Sequence, residues 1–339
     1  MRWSAMVSGA IALLVGAMVS LAVAGEAGPS GWVWTLPKGV APPPVPADNV
    51  MSVAKVTLGR RLFYEADLSV DGTMSCATCH GQRSSFTDGS VTHPGVHGDP
   101  GLRNVPTLVN VAWNRPLNWA DPTVKTLEQQ ALIPIMGDDP VEMGMKGMEA
   151  EIVRRLSANS CYRTLFRAAF PEEEGRMSMR AVARALAAYE RTIVSFDTPW
   201  DRARAGGRPL PQEAGRGELV FRGKGGCALC HSGVNFTDNH LHPFATTARD
   251  AGAMRATGRA EDRNRFRTPG LRNVALTAPY LHDGSAATLD AAIMAHGGMI
   301  RLTQAERVAI IVFLDELSDR AIAHDPRFSV PPVECETGF

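Results

Sequence analysis

The chain has 339 residues, with 35 basic and 35 acidic side chains and no formal net charge. That balance excludes a broad basic face for nucleic acid and a solvating acidic tail. The length favours two domains over one.

In chain order, the first predicted element is a targeting segment. Arg2 precedes an apolar run from about Met6 to Val23, and Ala22-Val23-Ala24 offers a small-residue cleavage site. Residues 1–24 therefore read as a secretory signal peptide. An uncleaved membrane anchor is the alternative, because the run nearly reaches spanning length. Either reading puts the folded part outside the cytoplasm, in a bacterial periplasm. No later stretch is apolar enough to span a bilayer.

Next come two pentads, Cys76-Ala77-Thr78-Cys79-His80 and Cys227-Ala228-Leu229-Cys230-His231. Each is the attachment signature of a c-type haem. Two residues between the cysteines let both sulfurs reach one side of a porphyrin and add across its vinyl groups. The following His becomes an axial iron ligand. A four-cysteine zinc site or a dithiol redox motif would also use the cysteines, but neither needs a His behind each pair. The chain is thus read as a redox protein with two covalently bound c-type haems, and the group on the other face of each iron decides its chemistry.

Loops rich in Gly and Pro follow the pentads at 81–123 and 232–270. Between them, residues 149–168 place Ile152, Val153, Leu156, Leu165 and Phe166 at helical spacing. Residues 178–196 put Val182, Leu186, Tyr189 and Ile193 on one stripe. Across Asp197–Gly215, Pro199, Gly206, Gly207, Pro209 and Pro211 break regular structure and mark a seam. Thr303-Gln304-Ala305-Glu306 is a capping box opening a helix through about Leu317. No run of alternating strands is visible.

The halves repeat each other. Gly101-Leu102-Arg103-Asn104-Val105 recurs as Gly270-Leu271-Arg272-Asn273-Val274, and Phe86-Thr87-Asp88 recurs as Phe236-Thr237-Asp238. Gly59-Arg60-Arg61-Leu62-Phe63 before the first pentad matches Gly217-Glu218-Leu219-Val220-Phe221 before the second. The expected fold is mainly α. It comprises two cytochrome c-like haem domains, 25–205 and 206–339, with long loops and with porphyrin supplying much of each core. Four cysteines serve the haems. Cys161 and Cys335 remain, either paired in an oxidising compartment or as free thiols.

With these pieces in place the chain resembles the bacterial dihaem cytochrome c peroxidase and MauG superfamily. LGRRLF, SCATCH, RNVPTL, LEQQALIP, PVEMG and LRNVALTAPYLHDG appear in family order, from about Leu36 to Leu317. Trp32-Val33-Trp34 and Asp325-Pro326-Arg327-Phe328 look more like the MauG-like branch. Within it, the methanobactin-associated proteins that oxidise a partner's tryptophan look nearest.

The resemblance implies a peroxide site at the first haem, with His80 proximal and Gln130, Pro134 and Glu142 distal. Peroxide cleavage needs a proton moved from the inner oxygen to the leaving one, which a positioned carboxylate does as base and then acid. Gln130 to Glu142 is two residues longer than the family pattern. Gly137-Asp138-Asp139 therefore reads as an insertion that keeps Asp138 and Asp139 as candidates, and a solvated loop charge is the plainer reading of Glu142. Trp119 resembles the family tryptophan between the haems, one residue further from Gln130 than usual; a core tryptophan is its plainer reading. Asn104, Thr277 and Pro279 fall on the family's calcium site.

At the second haem the resemblance makes His231 proximal. The distal position, fourteen residues after His282, holds His296 where peroxidases have Met and MauG has Tyr. Met294 and Met299 are the rival ligands, and His282 is expected to meet haem propionates. Imidazole gives a lower potential than thioether. A bis-His haem can therefore share the two oxidising equivalents of peroxide. The implied activity is MauG-like oxidation of a protein partner, with hydrogen peroxide as oxidant and Trp200 as the surface exit or a seam-packing residue. The alternatives are a peroxidase fed by a small cytochrome or cupredoxin, and a dihaem electron carrier without catalysis.

Overall fold

The computed structural model describes residues 31–244, 250–297, 301–335 and 338–339. The signal-peptide expectation at 1–24 and the rival ligand Met299 lie outside the described residues. No described helix is long and apolar enough to cross a membrane.

The architecture is helical and repeats one crossing. Helices α1 (Val53–Phe63), α2 (Cys76–Cys79), α3 (Leu127–Met136), α4 (Glu149–Ala158), α5 (Ser160–Ala169) and α6 (Met179–Glu190) belong to the first half. Helix α7 (Pro199–Arg204) lies at the seam. Helices α8 (Gln212–Arg222), α9 (Met254–Thr257), α10 (Leu289–Ala295) and α11 (Gln304–Asp315) follow. Helix α1 crosses α6, and α8 crosses α11. A β-carbon on Gly59 would stand 1.9 Å from the Ala185 carbonyl oxygen, and one on Gly217 would stand 1.9 Å from that of Ala309. Both crossings therefore need a residue without a side chain at the same place in the repeat. Strands β1 (Leu241–Pro243) and β2 (Arg265–Arg267) form a short antiparallel pair, His242 opposite Phe266.

Three apolar clusters follow from this packing. The large one gathers α1, α5 and α6 around Phe63, Phe86, Tyr162, Phe166 and Tyr189. A smaller one holds Phe221, Phe236, Leu271, Ile310 and Phe313. The third joins Trp119 and Ala120 of the first half to Ala253 and Phe266 of the second. The tail returns to the first half, where Ile322 and Phe328 enter the large cluster and Cys335 is disulfide-bonded to Cys161. Of the two readings open for those cysteines, the pair is the one found. The tail after about Asp319 packs on the first half.

Three local expectations need correction. The stretch 149–168 is two helices, because Asn159 leaves helical geometry and its side chain caps Cys161. The seam is not free of regular structure. Pro199 occupies the first turn of α7, where a proline loses no hydrogen bond, and Thr198 with Asp201 forms its capping box. The loop 232–270 carries β1, β2 and α9. The Thr303–Glu306 capping box opens α11 as expected.

Candidate functional site

Each pentad sits on one wall of a cavity. The first cavity, of about 430 Å³, is lined by Cys76, Cys79 and His80 and also by Gln130, Pro134 and Glu142. The second, of about 300 Å³, is lined by Cys227, Cys230 and His231, with Ile293 and His296 among its other walls. The proximal loops are built alike. His80 Nδ1 donates to the Phe86 carbonyl at 3.0 Å, and His231 Nδ1 to the Phe236 carbonyl at 3.2 Å and the Pro269 carbonyl at 3.1 Å. A carbonyl can only accept, so the proton is on Nδ1 and Nε2 keeps its lone pair for a metal. Burial holds His80 below the usual imidazole range. Burial, followed by the nearby His296, brings His231 down to about 4. Both imidazoles favour the neutral form.

The distal groups of the first cavity come from α3 and the loop after it. The Met143 amide donates to the Pro134 carbonyl at 2.9 Å and that of Met145 to Ile135 at 3.0 Å. These bonds satisfy carbonyls left free at the helix end and bring Glu142 back beside Gln130. Asp138 and Asp139 are exposed, and Asp139 and Pro140 reach the rim of the cavity. Asp138 pairs with Lys146 and is exposed, while Asp139 pairs with Arg255 at 2.5 Å at the cavity edge. Glu142 lines the cavity beside Gln130 and Pro134. Burial raises it above the usual carboxylate range, and His93 opposes that rise. Gln130 Oε1 accepts from Asn118 Nδ2 at 3.0 Å.

Trp119 lines both cavities, as do Asn104, Val105, Pro106 and Thr107. Its ring is 9% exposed, and its indole N–H donates to the Asn104 carbonyl at 2.8 Å. Its own carbonyl accepts from the Arg267 amide at 2.7 Å. The tryptophan is thus a shared wall fastened to both halves. Asn104, Thr277 and Pro279 lie together on the second cavity. Asn104 Nδ2 donates to the Ser90 and Val91 carbonyls at 2.9 and 3.3 Å.

In the second cavity the rings of His231 and His296 lie edge to face, with centroids 6.3 Å apart and 62° between their planes. Two imidazoles on opposite sides of one metal, each bonded at about 2 Å, would have centroids roughly 6 Å apart. His296 closes α10, and its Nδ1 donates to the Ala292 carbonyl at 2.8 Å. Met294 and His296 are both exposed, but only His296 lines the cavity. His282 is buried, stacks on Phe266 at 3.7 Å, and its Nε2 has no partner among the described residues. Arg267 also lines this cavity, donates to the Asn118 and Thr268 carbonyls at 3.1 and 3.2 Å, and is brought down to about 10 by desolvation, with no carboxylate paired to it among the described residues. An orphaned imidazole nitrogen and an unpaired buried cation are what a propionate-bearing cofactor would satisfy. The residues present therefore fit haem.

Sequence reasoning missed Glu190 and His93 on the first cavity. Glu190 is pushed up to about 8 by burial. Its position beside the core stripe of α6 gave no chemical signal. His93 lay in a loop without a motif. Trp200 is half-buried. It packs edge-on against Phe236 at 5.1 Å and donates to Glu218 at 3.2 Å, so it does pack at the seam.

A family model described as "Di-haem cytochrome c peroxidase" matches residues 53–208. The methylamine utilization protein MauG of Methylorubrum extorquens is 35% identical over 81% of this chain and 81% of its own length. The cytochrome c551 peroxidase of Nitrosomonas europaea is 32% identical over 85% of this chain and 86% of its own. A crystal structure of a MauG-like protein associated with microbial copper homeostasis superposes with a TM-score of 0.84. It is 38% identical and covers 88% of this chain and 99% of its own.

Proposed function

The chain belongs to the di-haem cytochrome c peroxidase family of oxidoreductases, and from that premise we propose a periplasmic, MauG-like oxidase that uses hydrogen peroxide to oxidise a side chain of a protein partner. The copper-homeostasis association of its structural relative suits a peptide or protein from that system, with tryptophan as the oxidised side chain. The two haem domains are taken as residues 25–205 and 206–339.

Bound haem supplies the peroxide-reactive iron and the store for two oxidising equivalents. The protein supplies the rest. Cys76, Cys79 and His80 would hold the first haem, and Cys227, Cys230, His231 and His296 would hold the second. Glu142 takes a proton from the inner peroxide oxygen and delivers it to the outer one. Gln130 hydrogen-bonds the bound oxidant, and Pro134 gives the distal face an apolar wall. Trp119 couples the two sites. A calcium ion held by the Asn104 side-chain oxygen and the Thr277 and Pro279 carbonyls would stiffen the wall that they share.

The observation that carries this reading is the 6.3 Å approach of the His231 and His296 rings in the second cavity. An imidazole in place of a thioether lowers the potential of the second haem and favours sharing of oxidising equivalents over feeding an electron to the peroxide site. His296→Ala is expected to turn the second haem from low to high spin in the ferric optical and magnetic spectra, with Met294→Ala silent. If Met294→Ala or Met299→Ala produces the change and His296→Ala does not, the ligand and the reading built on it are wrong.

A reductant-driven peroxidase is the second reading, favoured by the exposure of Leu229 (84%) inside the second pentad and of Leu219 (75%) near it. Such an apolar edge suits brief docking of a small redox protein. A dihaem carrier without catalysis would have no use for a raised carboxylate in a cavity. A high-spin signal in the resting ferric spectrum argues against it.

A further inference from the structure

The segment after the last helix of each half folds over the proximal loop of the other half, and we propose that the C-terminal segment, through Phe328, positions His80. This rests on His80 being the proximal ligand of the first haem.

The two proximal loops show the same strain. Phe86 and Phe236 adopt left-handed φ values of 61° and 55°. That conformation is costly for a bulky residue and persists only where its surroundings hold it. In the second half, the Phe236 ring is held by Phe221 at 6.3 Å, Phe313 at 6.2 Å and Trp200 at 5.1 Å. Trp200 comes from α7, after the first half's last helix. In the first half, the Phe86 ring is held by Phe63 at 6.4 Å and Phe328 at 6.0 Å. Phe328 follows α11, the second half's last helix. Phe63 and Phe221 lie in the last turn of the two copies of the glycine-crossed helix. Phe328 therefore stands to Phe86 as Trp200 stands to Phe236.

The tail is fastened where this matters. Gln82, two residues after His80, donates to the Ile322 and Asp325 carbonyls at 2.9 and 2.8 Å. Tyr64 donates to the Phe328 carbonyl at 2.5 Å, and the Cys161–Cys335 disulfide closes the end. The tail thus grips the loop near its start, at Gln82, and at Phe86, whose carbonyl accepts the His80 proton. A firm Nδ1–H bond to that carbonyl makes the imidazole a stronger donor to iron, which favours the oxidised levels used in peroxide cleavage. A loosened tail leaves His80 in place but weakens that bond.

The test is resonance Raman spectroscopy of the fully haem-loaded, reduced protein, read at the iron–histidine stretch of the first haem. Phe328→Ala and Gln82→Ala are expected to lower its frequency and to slow peroxide reaction about tenfold, without changing the second haem's spectrum. Phe328→Leu, which keeps most of the apolar volume, should recover most of the shift. An unchanged band in Phe328→Ala overturns the proposal. Should that variant not take up both haems, an unchanged band in Gln82→Ala does so. His80→Gly separates the two claims: loss of the band supports the ligation on which the clasp rests, and a band that survives overturns that ligation.

Discussion

Glu142→Gln is expected to slow the reaction with hydrogen peroxide by about 10²–10⁴-fold, the scale of a lost proton-transfer group, while leaving both haems bound and the resting spectrum unchanged. The glutamine keeps the shape and one hydrogen-bonding oxygen but cannot accept and return a proton. Glu142 stands in the first cavity because Met143 and Met145 tie its loop to the end of α3. Burial raises its carboxyl above the usual range, so its basic form appears at higher pH than for an exposed glutamate. The parent rate should therefore fall on acidification through that raised value, as the base becomes protonated. The variant should lose this limb of the profile. Stopped-flow spectroscopy from acid to neutral pH measures both effects. A parent-like rate in Glu142→Gln would move the role elsewhere, and Asp138→Asn and Asp139→Asn would be the next variants to examine.

Trp119→Phe is expected to confine peroxide oxidation to one haem site with a short-lived radical, where the parent shares it over two irons. The phenyl ring preserves much of the apolar wall between the cavities. It loses an easily oxidised indole and the hydrogen bond to the Asn104 carbonyl. Freeze-quenched magnetic and Mössbauer spectra read the number of oxidised irons directly. Trp200→Phe should behave differently: both irons react as in the parent, and oxidation of the protein partner is lost. Trp200 touches Phe236, whose carbonyl holds His231, and its other face reaches solvent in part. Intact two-iron oxidation in Trp119→Phe would remove the indole from the coupling route. Partner oxidation at the parent rate in Trp200→Phe would place the exit at another residue.

The pentads made both haem sites legible in the sequence, because covalent attachment requires fixed spacing. The repeat was legible for a similar reason: Gly59 and Gly217 recur because each crossing lets two backbones touch. Counting from His282 pointed to His296, and α10 carries that residue to the wall of the second cavity. The two-residue insertion after α3 could not be resolved by counting. Its outcome depends on hydrogen bonds from Met143 and Met145 back to the helix end. The break at Asn159 was hidden because apolar residues continue on both sides of it, and a side-chain cap leaves periodicity nearly intact. The return of Phe328 to the first half is a tertiary event between distant segments, and no local pattern encodes it. Glu190 was missed because its chemistry comes from the cavity around it, not from its neighbours in the chain.

The central claim is tested most directly by adding hydrogen peroxide to the fully oxidised protein, without prior reduction, and following both irons by rapid-freeze Mössbauer spectroscopy. Both irons are expected to rise above the ferric level together, at a rate set by Glu142. A protein that stays inert to peroxide until one haem has been reduced would contradict the claim and would establish the reductant-driven peroxidase instead.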